Sequence, residues 1–467
     1  MTKTPSLPER LPDFVGLGSF RTERGFVESL ECAFFLPASE TARVWVLVRS
    51  RGRSLVLLDW KFSCELVVGT GVLAAEDVFH SGYVSWDWGE GVEQTLIGDA
   101  TRLTVRRGDA EGSGIVRARF VITPSALLRS ADFLTEREGE TVSRQVVRAG
   151  PVCRVAPEMA FRFASVYRRV AAGKVESNVE CELIESAAMA DPQHVLSALG
   201  DVLTLASLAE RRVLILTGWI VEYANGAAVT SYRRDFTAPS EEESDVDQTL
   251  ISLASIAEFL NASIAKLAGL PHPGALKQAI HFALHGQGRG IGDSFVMLFA
   301  GVETLLNLFL SDENLEPIVP QEQWELWFER MSAALTGEKD FQALGPETQS
   351  QLLGNVRGAN RAFFADRFAR MCLSQKIDLN DLWPMLGGQA SLYGVRNRIV
   401  HGRVFSTDQE WFRVISAKYH LLWTLERSIL CILGWPIERS RVSARALGGL
   451  TLYSSWRADR DSVLRAK

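Results

Sequence analysis

The stretch Thr237-Ala238-Pro239-Ser240-Glu241-Glu242-Glu243-Ser244-Asp245 divides this chain into two regions of different pattern. Polar, acidic and proline-containing, it has the composition of a linker rather than of either neighbour. Before it, short alternating segments dominate. After it, apolar residues recur at helical spacing. At 467 residues the chain also exceeds what one hydrophobic core usually serves, so two or three domains are expected. The fold class that follows is α+β and multidomain: a β-rich, sandwich-like N-terminal domain followed by an all-α helix bundle. The boundaries fall at 1–180 for the β-rich domain, 181–236 for a helix and β-hairpin closing it, 237–247 for the linker, 248–437 for the helical domain and 438–467 for a basic C-terminal tail.

Working towards the N-terminus, Arg43-Val44-Trp45-Val46-Leu47-Val48 and Ser54-Leu55-Val56-Leu57-Leu58-Asp59-Trp60 flank an Arg51-Gly52-Arg53 turn, a hairpin signal. Alternation continues in Gly82–Trp88 and Gly114–Ile122. Many short strands separated by glycine-containing turns suggest a sandwich or curled sheet. Near 191 the period changes: Asp191-Pro192 can start a helix, and Val195, Leu196, Leu199, Val202, Leu203, Leu205 and Leu208 follow at helical spacing. Two strands then return, joined through Asn225-Gly226, the pair suited to a type I′ turn.

Working towards the C-terminus, apolar stripes lie near 248–269, 293–311, 321–335, 346–374 and 408–433. The last begins at Thr407 with Glu410 three residues on, a capping-box pattern, and directs Trp411, Val414, Ile415, Leu422, Leu425 and Ile429 inward.

Apolar residues make up 47% and charged residues 23%, an ordinary globular composition. The formal charge of −6 excludes a chain that coats nucleic acid by bulk electrostatics, so any RNA contact is local. From residue 390 onward thirteen Lys/Arg face six Asp/Glu, a surplus of seven that fits a local polyanion site or a solvated basic tail. The six cysteines are widely spaced, with no C-x-x-C pair, which points to a reducing compartment and no zinc. Met1-Thr2-Lys3-Thr4-Pro5 is not followed by a signal-peptide apolar run, and no uninterrupted apolar stretch suggests a membrane span. A cytoplasmic protein without a membrane partner is expected.

Candidate chemistry concentrates in Ser391-Leu392-Tyr393-Gly394-Val395-Arg396-Asn397-Arg398-Ile399-Val400-His401-Gly402, which reads as a short helix ended by Gly402. Four apart, Asn397 and His401 share a helix face, while Arg396 sits about 140° round from His401. Cutting RNA without a metal needs a base for the 2′-hydroxyl proton, an acid for the leaving oxygen and a cation for phosphorane charge. Histidine serves the first two roles near neutral pH, and arginine offers a planar fork to phosphate oxygens. With one such histidine per chain, acid and base together call for two chains facing each other. Spacing alone is weak: Arg413 and His420 imitate it inside the last helix. The first match is distinguished by Asn397 directly after Arg396, by Ile399-Val400 and Gly402 around the histidine, and by the amphipathic helix behind them.

Arg-Asn-x-x-x-His at a helix end, followed by Gly, resembles the signature of the HEPN superfamily, and the bundle resembles its Apea-like branch. Phe295–Leu306, an apolar run broken by Glu303, is similar to that branch's early helix. The similarity covers roughly 248–437, and the β-rich half resembles only loosely the domain preceding HEPN in bacterial anti-phage proteins of the ApeA type. The resemblance implies a metal-independent endoribonuclease, needing no cofactor, that leaves a 2′,3′-cyclic phosphate. It implies a homodimer whose composite site joins Arg396, Asn397 and His401 from each copy, with Arg398 and Arg403 as RNA-binding candidates. Glu303 would hold Arg396 in place by the same resemblance, or is simply a polar helix edge beside Asn307. RNA, including tRNA, is the implied substrate, and abortive-infection defence set off by a phage-derived trigger is the implied role. The competing expectation is a non-catalytic module for dimerisation and for RNA or partner binding.

Other features read more simply. Trp86-Asp87-Trp88 near His80 reads as sheet packing before ligand binding. His281 and His285, four apart, lack a third metal ligand nearby. Arg168-Arg169 and Arg233-Arg234 are phosphate contacts or solvated charge. No P-loop, Rossmann fingerprint or nucleophile elbow occurs.

Overall fold

The computed structural model describes residues 11–22, 25, 27–35, 44–51, 61–87, 92–110, 113–129, 132–138, 141–148, 150–171, 174–186, 191–233, 248–286, 290–310, 319–357, 364–402 and 408–456. The chain forms two compact units: Met1–Thr249 with Leu253–Asn261, and Leu250–Ser252 with Ala262–Lys467. The β-rich half is thus followed by a helical half. The acidic stretch 237–247, the rest of the 51–53 turn and its following strand (52–60), Trp88, Arg234 and Thr407 lie outside the described residues.

The first unit holds β1 (Phe14–Thr22), β2 (Val27–Phe35), β3 (Val44–Arg51), β4 (Lys61–Val68), β5 (Gly71–Asp87), β6 (Val92–Arg107), β7 (Ile115–Ile122), β8 (Asp132–Glu138), β9 (Thr141–Arg148), β10 (Val152–Ala156), β11 (Met159–Ala171), β12 (Lys174–Ser186), α1 (Pro192–Glu210), β13 (Leu216–Tyr223) and β14 (Ala228–Arg233). Twelve strands make one sheet, and β8 and β9 form a separate hairpin. Strand β6 pairs along its length with β5, with β3 through Glu93–Ala100, and with β14 through Arg102–Arg107. Because β1 is flanked by β2 and β4, and β4 by β5, the order β6-β3-β2-β1-β4-β5 returns to β6. Six strands therefore close into an antiparallel barrel. Its interior is packed with Phe20, Phe34, Val46, Phe62, Leu66, Leu73, Val78, Leu96 and Leu103.

Of the two expectations, sandwich and curled sheet, the first is corrected and the second holds: one sheet closes on itself over six strands and continues open through β14, β13, β7, β12, β11 and β10. Alternation reports which face of a strand is apolar but not which strand it meets, so a barrel and a sandwich read alike. The 225–226 turn is also corrected. Gly226 N–H donates to Tyr223 O at 2.9 Å, Tyr223 N–H donates to Ala227 O at 2.9 Å, and Gly226 alone in the loop has positive φ (83°). This is a three-residue loop with a bulge at Gly226 rather than a type I′ turn. Helix α1 starts as its sequence directs, since Asp191 accepts from Gln193 N–H at 2.8 Å and Pro192 follows it. At its far end buried Glu210 accepts from Ser125 Oγ (2.5 Å) and Ala126 N–H (3.0 Å), tying the helix to the turn after β7.

The helical half contains α2 (Ile256–Ala268), which runs from the first unit into the second, then α3 (Pro273–His285), α4 (Ile291–Leu310), α5 (Gln321–Gly337), α6 (Lys339–Gln342), α7 (Pro346–Arg357), α8 (Phe364–Ser374), α9 (Leu392–Val400), α10 (Asp408–Ile432) and α11 (Ala444–Leu447). Helix α4 is central, packing against α3, α8, α9 and α10. It is long and apolar enough to cross a membrane by length and composition, yet Phe295, Leu298, Phe299, Val302, Leu305 and Leu306 are each at most 1% exposed inside this unit. Such burial of large side chains contributes roughly 1.5–3 kcal/mol apiece. Helix α10 buries Val414, Leu422, Leu425 and Ile429, but Trp411 is 41% exposed, contrary to its expected inward position. It lies in the first turn, where a helix end has neighbours on fewer sides.

The segment 438–456, set apart above as the start of a basic tail, is built into the folded unit. Arg427 donates to both carboxylate oxygens of Asp381 (2.5 and 2.7 Å) and through Nε to Val442 O (2.7 Å). Tyr453 Oη donates to the same carboxylate at 2.6 Å, and Trp456 Nε1 donates to Asp381 O at 3.0 Å. Desolvation raises the Asp381 pKa, but the hydrogen bonds from Arg427 and Tyr453 outweigh it and hold the carboxyl below its usual value.

Candidate functional site

Helix α9 carries the quoted motif, and its position is set by backbone contacts with the preceding loop. Ser391 caps it, accepting from Gly394 N–H at 3.1 Å while its own hydroxyl donates to Gly388 O at 2.7 Å. Leu392 N–H donates to Pro384 O and Tyr393 N–H to Met385 O, both at 3.0 Å. The first-turn donors that a helix leaves unpaired are thus satisfied by the loop. Gly394 makes this fit possible: a Cβ there would stand 2.5 Å from the carbonyl oxygens of both Gly388 and Gln389. Gly387 and Gly388 have φ of 121° and 92°, backbone that side chains with a Cβ rarely adopt.

Loop and helix together wall a pocket of about 410 Å³. Tyr393, Asn397, Arg398 and, at its end, His401 line it from the helix, and Leu386 and Gln389 from the loop. His401 is the C-cap residue, exposed, with its N–H donating to Asn397 O at 3.0 Å and Gly402 (φ 67°) ending the helix. Asn397 and His401 therefore share one face, as their spacing requires.

Arg396 does not line the pocket. Its Nη1 donates to Asn397 Oδ1 at 3.2 Å, its Nη2 lies 3.8 Å from Glu303 Oε1, and its guanidinium sits 5.6 Å from the Phe299 ring centre. At 3.8 Å the Glu303 contact is an ion pair rather than a hydrogen bond. Both side chains are partly exposed, 29% for Arg396 and 44% for Glu303, so the pair orients more than it stabilises. Asn307, the alternative neighbour of Glu303, accepts instead from Arg367 at 3.0 Å. With Oδ1 occupied by Arg396, Asn397 has its NH₂ group to offer a ligand. Behind this side, Tyr393 stacks on Phe364 (5.2 Å), which stacks on Phe299 (5.1 Å), fixing α9 against α4 and α8.

The look-alike pair behaves differently. His420 is fully buried; its Nδ1 accepts from Trp383 N–H at 3.1 Å, so Nε2 carries the proton and donates to Leu452 O at 3.2 Å. Burial pushes its pKa down to about 4. Trp383 in turn donates from Nε1 to Ala390 O at 2.6 Å, so His420 supports the loop that walls the pocket. Arg413 holds a buried Nε without a hydrogen-bond partner.

Arg403 lies outside the described residues, as do Gln287 and Gly288 after the His281–His285 pair. Those two ring centres lie 4.1 Å apart with the rings tilted by 41°, and among the described residues no group of three or more His, Cys, Asp or Glu side chains stands ready for a metal. The cysteines are free; burial pushes the Cys153 thiol up to about 12 and those of Cys372 and Cys431 to about 11. The side chains of His80, Trp86, Arg168 and Arg169 are not among those described.

The motif reading does not locate the 384–391 loop or the aromatic stack. The adjacent glycines 387 and 388, with Gly394 six residues on, are the signal that points to them. Compared with models of known families, with curated proteins and with solved structures, the chain finds no match.

Proposed function

We propose that the helical half is an endoribonuclease of the HEPN kind, cutting RNA, tRNA included, without a metal. What supports this reading is the placement of His401, Asn397 and Arg398 around one open pocket, with Arg396 fixed beside it by Glu303. In the proposed reaction His401 takes the proton of a ribose 2′-hydroxyl, the 2′-oxygen forms a bond to phosphorus, and the P–O5′ bond breaks. The 5′-oxygen leaves with a proton from the His401 of a second copy, giving a 2′,3′-cyclic phosphate and a 5′-hydroxyl. Two chains are needed because each supplies one histidine, so the working form is a homodimer. Arg398 and Asn397 meet the phosphate charge. The β-rich half senses a phage-derived trigger or restrains the nuclease, in an antiviral role within the cytoplasm.

The engagement of Arg396 by Glu303 and Asn397 favours a second reading, in which the unit binds RNA or a partner without cutting it. One experiment separates them. Purified protein with a chelator present should cut RNA, and His401→Ala should lower the rate by about 10²–10⁴-fold while the circular dichroism stays native. Equal cutting by the folded variant removes the nuclease reading.

A further inference from the structure

We infer that the pocket beside His401 receives one unpaired nucleobase, and that Gln389 reads its identity; the inference rests on the proposed RNA-cutting function of the same site. Size argues first. A pocket of about 410 Å³ is at the small end of the roughly 300–1,000 Å³ that small-molecule sites occupy, room for a single nucleotide rather than stacked base pairs. Bases are reached singly only where RNA is single-stranded, in loops, bulges or ends.

The lining then divides by chemistry. Half-buried Leu386 and Tyr393 offer apolar and aromatic surface, and the Gly387-Gly388 backbone has no side chain to keep a flat ring at a distance. Arg398 and His401 supply a cation and a titratable imidazole. Among the described residues no carboxylate lines the pocket, so none of them repels a phosphate. A nucleotide satisfies both parts at once, with its base against Leu386 and Tyr393 and its ribose and phosphate towards His401 and Arg398. Gln389 is exposed at the same rim and brings both donors and an acceptor, the combination that distinguishes base edges. Its carbonyl oxygen packs directly against Gly394, where a Cβ would stand 2.5 Å from it. The base occupying this pocket therefore fixes which bond lies at His401.

The test uses the full-length protein in two arms. The four nucleoside 3′-monophosphates are titrated by ligand-detected NMR, and RNAs with a randomised single-stranded segment are sequenced at their cut ends. One base should bind roughly tenfold more tightly than the weakest, about the effect of one well-placed hydrogen bond. The same base should be enriched beside the cut. Gln389→Ala should flatten both preferences, and Leu386→Trp, which fills the pocket, should abolish nucleotide binding. Equal binding of all four, unchanged in both variants, overturns the inference even if His401→Ala abolishes cutting. Selective, Gln389-dependent binding together with cutting that survives His401→Ala leaves the nucleotide pocket standing and removes the nuclease reading.

Discussion

Replacing Gly394 by alanine adds one methyl group at the tightest backbone approach near the site. The new Cβ would lie 2.5 Å from two carbonyl oxygens, those of Gly388 and Gln389. An ordinary carbon–oxygen approach is roughly 3.3 Å, so the loop must retreat by roughly 0.8 Å. Both obstacles are backbone, and no rotamer change relieves them. Overpacking of this kind costs about 1–3 kcal/mol, which in a unit of about 200 residues lowers the melting temperature by about 2–12 °C. The retreat also moves the pocket wall relative to His401. A displacement near 1 Å costs on the order of 10²-fold in rate, so RNA cutting should fall by that much while His401 itself is untouched. The matched control is Gly354→Ala in α7, where a Cβ meets nothing within 4 Å. There the same chemical change should stabilise by about 0.5–1 kcal/mol, through helix propensity alone. Scanning calorimetry and a gel-based cutting assay on the two variants give opposite signs if the geometry is right. A Gly394→Ala protein that melts with Gly354→Ala and cuts like the wild type refutes the argument.

Three further outcomes follow from the same structure. His420→Ala removes two hydrogen bonds and a ring from the core and should destabilise by about 3–5 kcal/mol, in contrast to exposed His401→Ala. Because the fold keeps His420 neutral down to about 4, against 6.5 in the unfolded chain, its contribution is whole above pH 6.5 and is lost as pH falls towards 4. Urea titrations across that window should lose roughly 3 kcal/mol in the wild type, with a shallower fall in His420→Ala. Arg427→Met leaves Asp381 without its bidentate partner and should cost about 3–5 kcal/mol by urea unfolding; a loss below about 1 kcal/mol would show the pair to be dispensable. Glu303→Gln should change stability by less than about 1 kcal/mol, because the pair is partly exposed. It should nonetheless slow cutting about tenfold by loosening Arg396 and Asn397, and an unchanged rate would reduce Glu303 to a polar helix edge.

What could be read from residue order was local. Asp191-Pro192 announces α1 because a capping carboxylate and a proline act within one turn. Asn397 and His401 meet in one pocket because four residues is a little over one helical turn. Barrel closure was illegible: β1 pairs with β4 as well as β2, and nothing in an alternating segment names its second neighbour. The hairpin at 225–226 was legible as a turn but not as a type, since the bulge depends on the register of both strands. In the site, the pocket's far wall is a loop held by backbone carbonyls, which every residue possesses and no motif displays. His401 and His420 both follow an arginine at a loosely similar spacing, and what the structure adds to the sequence context is burial: His401 is exposed and His420 fully buried.

Strand β6 serves two structures, and this orders events during synthesis. The barrel strands β1 to β6 are contiguous in the chain, so the barrel is complete once residue 107 has emerged. The edge Arg102–Arg107 then waits for β14, which begins at Ala228. At ribosomal rates of about 5–20 residues per second, that edge stays unpaired for roughly 6–24 s. An unsatisfied strand edge is a template for pairing with another chain. That edge carries three arginines, Arg102, Arg106 and Arg107, and charged side chains on an exposed edge disfavour the addition of a strand from a neighbouring nascent chain.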